Sequence, residues 1–80
     1  MNIGEAVRER IIELCRERDI SINKLCSMSG VTQSTINNIV SGRNNSATIS
    51  TIKKLCDGLG ITIQDFFNAS LFMDLEQEVE

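Results

Sequence analysis

Between Thr32 and Ser41 the chain reads Thr-Gln-Ser-Thr-Ile-Asn-Asn-Ile-Val-Ser, a run without one charged residue. At roughly 100° per residue in a helix, Ile36, Ile39 and Val40 fall on one stripe. Ser34, Asn37, Asn38 and Ser41 project away from it, with Gln33 and Thr35 on the margins. Solvated helix faces normally carry Lys and Glu. A face of short amides and hydroxyls instead presents paired donors and acceptors, the groups that hydrogen-bond base edges in the major groove, where Asn or Gln matches adenine bidentately. The plainer alternative is the polar face of a scaffold helix that touches no ligand.

The remaining residues exclude more chemistry than they offer. His is absent, which removes the usual partner of a Cys nucleophile and the commonest nitrogen ligand of zinc. The three cysteines, Cys15, Cys26 and Cys56, include no closely spaced pair, so no metal site and no cofactor are expected. Free Cys behaves as a small hydrophobe, and these three read as thiols buried between helices, with a redox switch as the alternative. There is no Gly-rich phosphate loop and no carboxylate pair in a plausible pocket, so no enzyme is expected.

The elements that would position the uncharged face are helical. Eighty residues close one modest core, and with no Trp, no Tyr and three Phe that core is expected to be aliphatic. Proline is absent and apolar residues recur at three- and four-residue intervals, so the fold class is all-α. A first helix is expected from about Ile3 to Arg18. Ile3, Val7, Ile11, Leu14 and Cys15 form its inner face, and Arg8, Arg10 and Arg16 mix with Glu9, Glu13 and Glu17 on its outer one. Asp19-Ile20-Ser21 interrupts it. Ser21, Thr32, Thr48 and Thr62 are placed to N-cap four further helices. The second ends near Met28 and the third near Ser41, before Gly42; Gly60 stops the fourth. Between the second and third lies the tight turn Ser29-Gly30-Val31, where Gly30 takes a left-handed conformation cheaply. Small Cys26 and Gly30 are expected where these two helices cross closely. Leu71, Phe72, Leu75 and Val79 keep a helical spacing and suggest a sixth, fraying helix.

Charge follows the same division. The net charge is -3, but Asp74, Glu76, Glu78 and Glu80 crowd the last seven residues with no base among them. Residues 1–73 hold eight bases against seven acids, a balance of +1, and from Ile20 to Gly60 four bases face only Asp57, a balance of +3. The chain therefore divides into a helical domain, 1–69, and an acidic amphipathic tail, 70–80, which is either a dimerisation segment together with helix five or a segment folded back on its own core. No segment has the apolar length of a membrane span and no leader pattern opens the chain, so a cytoplasmic location without membrane contact is expected.

The 48 residues from Ile20 to Phe67 resemble the lambda-type repressor and Cro helix-turn-helix family, also called the XRE family. The residues that carry the likeness are Ser21 with Leu25-Cys26, Gly30 to Ile36, Gly42-Arg43-Asn44, and Leu55 to Ile63, in that order and spacing. The resemblance implies a compact five-helix DNA-binding domain with its third helix, about 32–41, in the major groove. It assigns base reading to Gln33, Ser34, Thr35, Asn37 and Asn38, and phosphate contacts to Thr32, Arg43, Asn44, Asn45 and Ser46. Three positions depart from the family's pattern. Ile22 stands where a Gln often buttresses a phosphate contact, and Ala47 where Pro usually precedes helix four. Cys15 and Val40 occupy the places of an Arg–Glu ion pair, and are expected to meet as an apolar contact instead.

Two functional classes follow. The first is a sequence-specific transcriptional regulator, a repressor, binding double-stranded operator DNA as a homodimer on half-sites about 34 Å apart. The second is a protein-interaction module on the same fold, an antitoxin-like or anti-repressor partner. The small number of bases and the acidic tail favour the second; the amide-rich third helix favours the first.

Overall fold

Each helix begins where a side chain can satisfy the first free amides. In the computed structural model, which describes residues 1–41 and 47–79, α1 spans Ile3–Glu17, α2 Ile22–Ser29, α3 Gln33–Val40, α4 Ile49–Leu59 and α5 Ile63–Phe67. The Ser21 hydroxyl accepts from the Lys24 amide at 3.0 Å, and the Thr48 hydroxyl from Thr51 at 3.1 Å. Thr62 and Asp65 form a reciprocal capping box at the start of α5. The four caps expected from sequence are all in use, and Asn2 adds a fifth, boxed with Glu5 at 2.8 and 2.9 Å. No strand occurs among the described residues, and the fold is all-α.

Helix ends are equally local. After α1 the chain turns through Asp19 at φ 52°, letting the Asp19 and Ile20 amides donate to the Arg16 and Cys15 carbonyls at 3.2 and 3.0 Å. That is the paired closure of a Schellman motif, built on Asp where Gly is the usual residue. Gly30 ends α2 at φ 71°, the left-handed conformation its lack of a Cβ makes cheap.

Packing corrects one reading. The close helix crossing is not at Cys26 and Gly30: Cys26 is only half-buried, and a Cβ on Gly30 would meet nothing within 4 Å. It lies between α2 and α4, the most extensively packed pair of helices among the described residues. A Cβ on Gly58 would come within 2.8 Å of the Ser29 Cα and 2.9 Å of the Met28 carbonyl carbon and oxygen. Gly58 thus lets α4 approach the backbone at the end of α2.

The core is aliphatic with one aromatic at its centre. Ile11, Leu25, Ile36, Leu55, Cys56 and Phe66 are almost wholly removed from solvent. Cys15 is buried with them, and Val40 is half-buried against the same cluster. Burial is the main cause raising all three thiols above their usual pKa, so they stay protonated, as suits groups used for packing.

Arg10 also differs from expectation. It was expected on the outer, charged face of α1, but it belongs to the buried stripe with Val7, Ile11 and Leu14 and is 8% exposed. Its Nε donates to the Phe66 carbonyl at 2.7 Å and its Nη2 to the Asp65 carbonyl at 2.9 Å, while Nη1 pairs with Glu13. A charge is tolerated at this inward position because its N–H groups find partners at the end of α5.

The tail is not a sixth helix. A single 3-10 turn, Ser70–Phe72, starts without a side-chain cap and is not continued. Phe72 folds back onto Phe67 and Phe66, with ring centroids 4.9 and 6.2 Å apart, and the Glu76 amide bonds to the Met1 carbonyl at 3.1 Å. Val79, expected to share an apolar face with Phe72, is 76% exposed.

Candidate nucleic-acid interface

Two short helices and the turn between them carry the candidate site. Leu25 on α2, Val31 in the turn, and Ile36 and Ile39 on α3 are buried in one cluster, which fixes the two helices relative to each other. With its inner stripe so engaged, α3 leaves Ser34, Asn37, Asn38 and Ser41 exposed at i, i+3, i+4 and i+7, and Gln33 exposed at its first turn. Neither α2 nor α3 contains an acid, and Lys24 is their one charge, so nothing on these two helices repels a polyanion.

The expected base-reading residues do not share one environment. Ser34, Asn37 and Asn38 project freely, and their side chains form no hydrogen bond among the described residues. Thr35 is half-buried, and its hydroxyl lies 2.8 Å from that of Thr32, drawn into the cap of the helix. Thr32 itself is exposed, its oxygen accepting from the Thr35 amide at 3.3 Å. The Nε2 of Gln33 donates to the Oδ1 of Asn23, on the first turn of α2. Arg43, Asn44, Asn45 and Ser46, the other expected phosphate contacts, lie outside the described residues.

Asn23 is a residue the sequence reading missed. Ile22 is half-buried against the core, so the amide that reaches across to α3 comes from the next position along. An amide directly after Ile22 was the available signal. Among the described residues the bond leaves the Gln33 Oε1 and its second N–H unengaged, a donor–acceptor pair held at the N-terminus of α3.

Two helices clamped through a tight turn, the second presenting an uncharged hydrogen-bonding face, define a helix-turn-helix DNA-binding domain. The Cro/C1-type helix-turn-helix DNA-binding domain model matches residues 10–70, and this chain belongs to that family. It is also similar to the crystal structure of the prophage Lp1 protein 11, at 37% identity and a TM-score of 0.81, covering 94% of this chain and 100% of that one. A comparison with curated proteins finds no match.

Proposed function

We propose that this chain is a transcriptional repressor that reads operator DNA with α3 laid in the major groove. The observation carrying this reading is the exposed, uncharged strip of α3, with Gln33 held at its leading end by Asn23. Ser34, Asn37 and Asn38 read base edges beside Gln33. Thr35 acts mainly by fixing the first turn, since its hydroxyl is turned toward Thr32. The N-terminal amides of α2 and α3, with Thr32 and the segment Arg43, Asn44, Asn45 and Ser46, hold phosphates and set the register on the duplex.

The operator is read by a two-fold dimer joined through α5 and the turn that follows it. Ile63 and Phe67 remain only half-buried there, and Met73 is 82% exposed just beyond. A dimer doubles a small interface, which matters for a chain with few cations.

Selection of duplexes from a random pool, followed by a salt series on the winner and on a scrambled duplex, tests the function. The reading predicts an enriched site and a logarithm of affinity that falls linearly with log salt, with a slope of about 0.9 per phosphate neutralised. Absence of enrichment and of salt-dependent binding would return the chain to the protein-partner class.

A further inference from the structure

Gly4 and Ala47 leave a space that larger residues would fill. Gly4 lies in the first turn of α1, and Ala47 directly before the Thr48 cap of α4. Beside them is a pocket of about 300 Å³, walled by Ile3 and Val7 of α1, Ile49 and Ile52 of α4, and Phe67 of α5. Among the described residues no charged or polar side chain lines it. Ile49 stays 71% exposed, an uncovered apolar wall at the start of α4.

We propose that this pocket binds a small uncharged apolar molecule, and that filling it strengthens operator binding. Size and lining select that occupant. A dry apolar cavity of ~150 Å³ takes up benzene, so about 300 Å³ suits roughly ten to twelve carbon atoms. Seven described residues line the pocket, whereas a stable protein interface takes about 20–30 residues a side. A peptide would bring backbone donors and acceptors that none of these side chains can match, and a charged ligand would lose its hydration without a counter-charge. The chain's own exposed Val79 stands between Glu78 and Glu80, which suit such walls no better. The regulatory step rests on the repressor reading given above. That reading gives phosphates to the segment Arg43 to Ser46, which joins the α4 cap at Ala47. A ligand bridging α1 and α4 holds this junction in place beforehand, so DNA binding has less left to order.

The test uses the full chain, with toluene as the probe and benzoate as its charged counterpart, followed by methyl NMR. Toluene should give saturable shifts at the methyl groups of Ile3, Val7, Ile49 and Ile52, and benzoate none. Ala47→Leu should weaken toluene by about tenfold or more, since the leucine occupies the same volume. Should that variant fail to fold by circular dichroism, Gly4→Leu fills the space from the α1 side, and the same loss is expected. On the duplex selected by the wild-type protein, saturating toluene should raise affinity by about fivefold or more, a gain absent from the filled variant. The site is overturned by an absence of saturable shifts, by shifts scattered over the surface, by equal binding of benzoate, or by toluene binding that survives the filling substitution. Pocket shifts that track protein concentration without toluene would give the pocket to a second copy and overturn it too. Toluene that fills the pocket and leaves operator affinity unchanged overturns the regulatory step. A chain that binds no duplex removes the repressor reading and that step together, while the toluene titration still decides the site.

Discussion

A glutamine that reads a base has three side-chain torsions to freeze, and freezing them in the free protein lowers the cost of binding. In this chain the partner that holds Gln33 is Asn23, contributed by the neighbouring helix. Replacing Asn23 by Ala should weaken operator binding by about 1 kcal/mol, the worth of one such hydrogen bond and the order it imposes. Scrambled DNA should feel the change less, and thermal stability should hardly move, because both side chains are exposed. Anisotropy titrations on both duplexes check this; equal affinities for the variant and the wild type on the operator would mean the amide pair is idle. That strip of α3 was legible from residue type and spacing alone. Asn23 was not, because pairing across ten residues depends on the angle between two helices, which no local pattern encodes.

Helix packing supplies that angle, and Gly58 is where it is most sensitive. An Ala there gains up to about 1 kcal/mol in helix propensity, yet its Cβ would meet backbone atoms at 2.8 and 2.9 Å. Main chain gives way less easily than a side chain, so Gly58→Ala should cost a net of about 1–3 kcal/mol in urea unfolding. A stabilised variant would mean that α2 and α4 are not seated on each other as described. The contact of α1 with α3 is tested differently. Cys15→Arg should destabilise by about 3 kcal/mol or more by burying an unpaired charge, and adding Val40→Glu should recover part of the loss by restoring the family's ion pair. Losses that simply add would show that positions 15 and 40 do not meet. Helix starts were readable because Ser21, Thr48 and Thr62 each stand one residue before an isoleucine that opens an apolar period, and Thr32 follows directly on the Gly30-Val31 turn. The tail misled because Leu71, Phe72, Leu75 and Val79 have helical spacing without a cap at Ala69, and Phe72 gains more from the Phe66–Phe67 pair than from a helix of its own. Arg10 misled through its charge, although its spacing from Val7 and Leu14 already put it on the inner stripe.

At the scale of the whole molecule, the question is how a chain of net charge -3 binds a polyanion. None of the eleven acids lies on α2 or α3, and four of them crowd the tail, where Glu76 pairs with the N-terminal ammonium at 3.6 Å. The few cations elsewhere cannot supply a large non-specific term, and Lys53 is partly spent on Asp57. Discrimination therefore rests on amides and hydroxyls, with phosphate contacts setting register. The most direct test is a paired set of binding isotherms, on the selected operator and on a scrambled duplex, for Asn38→Ala and Arg43→Ala. Asn38→Ala should cost about 1–3 kcal/mol on the operator and little on the scrambled duplex. Arg43→Ala should weaken both about equally and make the salt slope shallower by about 1. If the two variants instead lowered both affinities by one common factor, α3 would not be the element that reads sequence, and the account would fail at its centre.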